Sequence, residues 1–193
     1  ENGCRVLYGD TDSVFVDASL SPSAHPGEAH ACGQRLCNAA NAALAEHIDQ
    51  RYGVQSRLEL EFEKHYEHFL LPPMRGSERG RAKGYAGWRL DGEEGYLEII
   101  GMEAVRSDWT RLAHGLQRQL LGLLFAGVDA LEIESAIGEC VRGVRAGERD
   151  EDLVYRKRLR KPVSSYTRTV PPHVRAAKML KNPRGVIQYI VTC

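Results

Sequence analysis

The chain has 193 residues, 42% apolar and 27% charged, with 26 basic side chains against 26 acidic ones. These figures exclude a disordered tail and leave room for one sizeable core or two small ones. No apolar run is long enough to cross a bilayer, so no membrane partner is expected, and five cysteines without a Cys-x-x-Cys pair suggest neither a disulfide framework nor a zinc site.

In chain order, Cys4–Tyr8 and Val14–Val16 are short, apolar and rich in β-formers, and Gly9-Asp10-Thr11-Asp12 between them supplies turn residues. The pattern predicts a β-hairpin with Asp10 and Asp12 at its tip. Two carboxylates one residue apart do not shed their charge cheaply and invite a cation. Hard oxygen donors in small number suit Mg²⁺, which keeps waters and takes further ligands from phosphates. The alternative is a solvated turn that uses Asp for backbone geometry alone.

Residues 19–27 read as a loop. Glu28–Arg51 predicts an amphipathic helix, with Cys32, Leu36, Ala40, Ala43, Leu44 and Ile48 at helical spacing and Gly53 closing it. Arg57–Leu71 alternates Leu58, Leu60 and Phe62 with Glu59, Glu61 and Glu63, as a half-buried strand with an acidic face would, and ends at Pro72-Pro73. On such a strand His65 and His68 point to opposite faces and do not form a metal pair. Residues 75–81 read as a turn, and Lys83–Leu90 and Tyr96–Ile100 as two strands around Asp91-Gly92. These pieces predict one antiparallel sheet with a helix on one face.

Beyond Arg106 the period becomes helical. Asp108 is the expected cap of a helix carrying Leu112, Leu116, Leu120, Leu123 and Leu124 that stops near Gly127, and Asp129 of a second carrying Ile133, Ile137, Val141 and Val144 that stops at Gly147. After Asp152 there is no acid, while ten bases follow: Arg156, Lys157, Arg158, Arg160, Lys161, Arg168, Arg175, Lys178, Lys181 and Arg184. The first 152 residues therefore hold 16 bases against 26 acids. A segment of such charge with apolar anchors at Tyr155, Leu159, Val163, Tyr166, Pro171 and Pro172 points to nucleic-acid contact more than to a loose solvated tail.

The hexad Tyr8-Gly9-Asp10-Thr11-Asp12-Ser13 resembles the palm motif of family B DNA polymerases, and the rest of the chain agrees in order. Glu59–Lys64 with Phe69–Pro72 is similar to the strand after the palm helix, Lys83-Gly84-Tyr85-Ala86-Gly87 to the Lys-x-Tyr strand that grips duplex, and Gly101–Trp109 to the lead into the thumb. Tyr155–Pro162 and Val170–Ala177 are similar to thumb segments, most closely those of bacterial members. Where the family has Lys-Lys-x-Tyr, this chain has Ala82-Lys83-Gly84-Tyr85.

The resemblance implies an α+β fold: residues 1–106 as an antiparallel palm sheet with a packed helix, and 107–193 as a mainly helical, incomplete thumb. It implies template-directed nucleotidyl transfer with two Mg²⁺ ions, Asp12 as main ligand and catalytic residue with Asp10 beside it, and one of Glu59, Glu61 and Glu63 as a candidate to approach the metals. Lys83, Tyr85, Arg156, Arg158, Arg160, Lys161, His173 and Arg175 are the implied DNA contacts. The implied partners are primer-template DNA, a deoxynucleoside triphosphate, the remaining domains of a parent polymerase and a processivity clamp, in the bacterial cytoplasm at the nucleoid. The upstream palm aspartate, fingers helix and exonuclease motifs do not occur in this chain, so a cut piece that is inactive alone is expected. Two rivals stand beside this reading. A non-catalytic DNA-binding module would keep the basic segment without metal-dependent function, and an unrelated metal-dependent phosphotransferase would act without DNA.

Overall fold

A computed structural model describes residues 3–21, 24–73, 76, 83–91 and 94–192. Apart from Gly76, the expected Arg75–Arg81 turn lies outside the described residues, as do Ala82 and Gly92. The chain divides into two units, Glu1–Lys83 with Gly87–Glu98, and Gly84–Ala86 with Ile99–Cys193.

The first unit opens with the expected hairpin, β1 Arg5–Asp10 and β2 Ser13–Asp17. Asp10 pairs with Ser13, which leaves Thr11-Asp12 as the loop. The turn is tight: the Asp12 N–H donates to the Asp10 carbonyl at 2.6 Å around Thr11, whose φ is +50°. The register shifts between Val6 and Tyr8, so Leu7 bulges out and the alternation resets. Tyr8 and Phe15 thus share one face, where Phe15 stacks at 5.1 Å on Phe69 and at 6.4 Å on Tyr66. On the other face Val6, Val14 and Val16 are exposed.

Helix α1 spans Pro26–Tyr52. His25 caps it by accepting the Gly27 N–H, Pro26 occupies the first turn where a missing N–H costs nothing, and Gly53 closes it at φ +64°. The segment after α1 corrects the sequence reading. Residues 55–66 form no strand, and only His68–Leu70, β3, is ladder-paired. Leu58 and Leu60, expected on the buried face, are exposed; alternation holds only from Phe62 to Tyr66, and the backbone bonds go elsewhere. Asn41 of α1 accepts the Leu60 N–H at 2.7 Å and donates to the Leu60 carbonyl at 2.8 Å, doing for one residue what a neighbouring strand would do. The Cys37 thiol donates to the same carbonyl at 3.0 Å. Phe62 lies edge-on to His30, and Gly33 leaves the space that its ring fills.

Strands β4 Tyr85–Asp91 and β5 Glu94–Ile100 form a three-stranded sheet with β3 in the order β3-β4-β5. The hairpin is a separate two-stranded sheet, so the single sheet expected from sequence is two small ones in the described residues. A charged knot lies beside β5. Glu98 accepts from Lys64 Nζ at 3.1 Å and from the Tyr66 hydroxyl at 2.6 Å, and Arg89 stands 3.6 Å away.

The second unit holds the larger core: Ile99, Met102, Ala104, Leu121, Val174, Ala177 and Ile187 are all buried. Helix α2 is Arg111–Phe125 and α3 is Ala130–Arg145. Asp129 caps α3 as expected, accepting the Glu132 N–H at 2.9 Å. The cap of α2 is a correction, because buried Thr110 accepts the Ala113 N–H and Asp108 does not cap the helix. Gln117 ties α2 to the preceding 3₁₀ turn, accepting from the Ala104 N–H at 2.6 Å and donating to Glu103.

The basic segment is folded. Strands β6 Tyr155–Arg158 and β7 Val186–Tyr189 pair antiparallel, with Tyr155 stacked on Tyr189 at 5.4 Å, and the short helix α4 Pro172–Lys178, whose Val174 and Ala177 are buried, packs against β7. The mainly helical reading of residues 107–193 therefore omits a two-stranded sheet.

Candidate metal site and nucleic-acid interface

The first cluster is the hairpin tip. Asp10 ends β1, and its carboxylate accepts from the Thr11 hydroxyl at 3.1 Å. Asp12 is exposed in the turn, with the Ser13 hydroxyl 3.4 Å from Oδ1. Lys83, 73 residues further on, joins them. Its Nζ is 3.6 Å from Asp10 Oδ2, and its backbone N–H donates to the Tyr8 hydroxyl at 3.0 Å. Lys83 sits at φ +59°, a conformation that costs a side-chain-bearing residue free energy, and the Tyr8 contact helps to hold it there.

The chemistry of this donor set fits a small divalent cation. Two carboxylates with neighbouring hydroxyls offer hard oxygens, and Lys83 already occupies part of Asp10, which leaves Asp12 the better placed ligand. Among the described residues no group of three or more His, Cys, Asp or Glu is disposed to hold a metal, so Glu59, Glu61 and Glu63 do not join Asp10 and Asp12 in such a group. Those glutamates are exposed, and Glu63 pairs with Lys64 at 3.0 Å. Tyr85, half-buried, is the first residue of β4.

The second cluster lies within the second unit. Arg156 and Arg158 alternate with Lys157 along β6, and all three, with Arg160, Ser107, Asp108, Tyr166 and His173, line a groove of ≈570 Å³. The structure thus brings together four of the sequence-predicted contacts, Arg156, Arg158, Arg160 and His173, while Lys161 and Arg175 are exposed and do not line it. His173 is only 6% exposed, edge-on to Tyr166, and burial, followed by the nearby Lys157 charge, pushes its pKa below the ordinary histidine value.

Sequence reasoning missed the acid in this groove. Asp108 is held by a bidentate fork from Arg106, with Nε to Oδ1 and Nη2 to Oδ2 both at 3.1 Å, and by Lys157 Nζ at 3.3 Å. The Arg106 hydrogen bonds, with Lys157 adding to them, outweigh the opposing effect of burial and hold its carboxyl down to about 2. The only sequence signal was an Arg-x-Asp spacing, which a helix cap explained equally well.

The sequence model for DNA polymerase family B matches residues 1–191. The chain belongs to DNA polymerase family B. It is 40% identical to DNA polymerase II of Escherichia coli over 98% of its length and 25% of that protein's, and 29% identical to the DNA polymerase zeta catalytic subunit of Schizosaccharomyces pombe over 96% of its length and 12% of that protein's. Among solved structures it is similar to the family B DNA polymerase of Pyrobaculum calidifontis, at 24% identity and a TM-score of 0.52, covering 99% of this chain and 21% of that one, a likeness of fold. The chain spans a quarter or less of the length of these relatives. Among the described residues no helix is long and apolar enough to cross a membrane.

Proposed function

We propose that this chain is the C-terminal palm, residues 1–106, and part of the thumb, 107–193, of a DNA-directed DNA polymerase. The observation that carries the reading is the hairpin tip: both carboxylates of the family hexad are intact, Asp10 at the end of β1 and Asp12 in the two-residue loop, with Lys83 drawn to Asp10 from 73 residues away. That arrangement argues against an inactivated relative kept only for DNA binding.

Asp12, with Asp10 beside it, would hold the catalytic Mg²⁺ ions together with an acid from the remaining domains of the parent. When bound, the ions supply an activated primer 3′-hydroxyl and charge neutralisation on the incoming deoxynucleoside triphosphate. The protein's own contribution is position. Lys83 restrains Asp10 at the end of β1, and Lys83 with Tyr85 meets the primer-template through its shape and backbone rather than its sequence. Arg156, Arg158 and Arg160 draw phosphates into the β6 groove, with Lys161 and Arg175 on neighbouring exposed surface. Each such contact releases counterions, so affinity falls log-linearly with salt. A processivity clamp and a place at the bacterial nucleoid belong to the same reading, and the piece alone is inactive because it lacks the fingers and the upstream aspartate.

The test is Asp12→Asn in the full-length polymerase. Single-nucleotide incorporation is lost while primer-template affinity, followed by fluorescence anisotropy, stays within about twofold because the phosphate contacts are untouched. Incorporation at the unaltered rate would remove the assignment.

A further inference from the structure

We infer that Asp108 is a built-in competitor for phosphate in the β6 groove. It occupies Lys157 while the groove is empty and yields Lys157 to a nucleic-acid phosphate when a strand enters. The inference rests on the proposed role of this groove in holding primer-template and adds a regulator of affinity to it.

Four bases line the groove, Arg156, Lys157, Arg158 and Arg160, against one acid, Asp108. An acid in such a place lowers the field that draws in a polyanion, so it calls for a physical account. Its two partners are unequal. Arg106 grips both carboxylate oxygens at 3.1 Å in the planar fork that matches a carboxylate, and Arg106 does not line the groove. Lys157 touches one oxygen at 3.3 Å, does line the groove, and its side chain is 46% exposed. Lys157 can therefore leave without orphaning the carboxylate, because the Arg106 fork remains. A lysine ammonium is a compact charge on a flexible stem, suited to exchange between one anion and another, where a guanidinium fork is not.

The alternative role for Asp108 is to position Lys157, holding the amine where a phosphate needs it. The two roles predict opposite signs. A competitor weakens DNA binding, so removing it tightens the complex. A positioning residue strengthens binding, so removing it loosens the complex.

The experiment uses the full-length polymerase and a fluorescein-labelled primer-template, with dissociation constants measured by anisotropy across a salt series for the wild type, Asp108→Asn, Lys157→Ala and the double variant. Asparagine keeps the shape of the side chain and removes its charge. Asp108→Asn is expected to tighten binding about two- to fivefold, the worth of one exposed ion pair. Lys157→Ala is expected to cost several-fold more affinity in the Asp108→Asn background than in the wild type, where the amine must first leave its acid. Weaker binding by Asp108→Asn, with Lys157→Ala then silent, would overturn the inference in favour of positioning. Unchanged affinity in both would overturn it outright.

Arg158→Ala separates this failure from that of the underlying reading. If Arg158→Ala lowers affinity and reduces the salt slope by about one while Asp108→Asn does not tighten binding, only the competitor role fails. If Arg158→Ala changes neither, the groove is not the DNA interface and both fall. Should Asp108→Asn fail to fold, Lys157→Met tests the same point. In the wild-type background a competitor makes its effect on affinity smaller than that of Arg158→Ala, and an equal or larger loss overturns the inference.

Discussion

Glu98 offers the most direct test of what holds the first unit together. Its side chain is 21% exposed and that of Lys64 16%, so both charges have lost most of their water. Burial acts against the charge on Glu98, but hydrogen bonds from Tyr66 and Lys64 and the nearby Lys64 and Arg89 charges outweigh it, and the net effect lowers its pKa. For Lys64 the same contest, with Glu63 and Glu98 against burial, ends in a raised pKa. Glu98→Gln keeps the shape and removes the charge. A fully buried pair broken on one side costs about 3–5 kcal/mol. Here Glu63 remains 3.0 Å from Lys64, and residual solvent screens the rest, so a loss of about 2 kcal/mol is expected. For a chain of this size that corresponds to a fall in Tm of about 4–8 °C at pH 7. The sign with pH follows from the lowered Glu98 pKa. Its contribution is complete above the ordinary glutamate value of 4.5 and fades as the pH falls below it, so the gap between wild type and variant must close in acid. Lys64→Met combined with Glu98→Gln should recover part of the loss, because no unpaired ammonium is then buried. Thermal unfolding of the two variants and wild type at pH 7 and pH 3.5 decides it. A loss under about 0.5 kcal/mol, typical of an unremarkable surface site, or a gap that stays constant into acid, would refute the reasoning.

What could be read from the sequence, and what could not, divides by the range of the interactions. The hairpin, the C-terminal end of α1 and the ends of α3 were legible because their determinants are adjacent: turn residues at 9–12, Gly53 past the last turn and Asp129 three residues before the N–H that it accepts; the start of α1, at Pro26 behind the His25 cap, was read two residues late. Of the inward face expected over residues 57–71, Phe62 is half-buried while Leu58 and Leu60 are exposed, and period two does not say who supplies the backbone bonds. A side chain of α1, Asn41, supplies them for Leu60. Asp108 had every local credential of a cap, yet Lys157, 49 residues away, and Arg106 claim it, and Thr110 caps instead. The basic segment was visible as composition. That Arg156 and Arg158 lie on a strand paired with Val186–Tyr189, and so line one groove, depends on a pairing across some thirty residues that carries no local signature. The Lys83–Asp10 pair is invisible for the same reason, although each residue alone was singled out.

Two further predictions follow from packing and charge. Gly33→Ala should destabilise the first unit by about 1–3 kcal/mol in urea or thermal unfolding: a Cβ there would lie 2.5 Å from Phe62 Cδ2 and 2.6 Å from Cζ, ring atoms that cannot swing aside like the end of a flexible chain. Gly115→Ala in α2, with nothing within 4 Å of its Cβ, should instead gain about 0.5–1 kcal/mol from helix propensity, and the same sign at both positions would contradict the packing described. The last concerns Asp108, whose carboxyl is held down to about 2 against an ordinary 3.8. A lowered pKa means that its contribution is complete above about pH 4 and is lost as the pH falls toward 2, and partial exposure of Arg106 and Lys157 limits that contribution to about 1 kcal/mol. Carboxyl-carbon NMR titration of the side chain should show a midpoint near 2 in the wild type, moving up toward the ordinary value in Arg106→Gln. It should move only partly in Lys157→Ala, because the fork supplies two of the three hydrogen bonds. An ordinary midpoint in the wild type, or a larger shift on removing Lys157 than on removing Arg106, would mean that the lysine is the principal partner and would leave the carboxylate orphaned whenever that lysine turned to a phosphate.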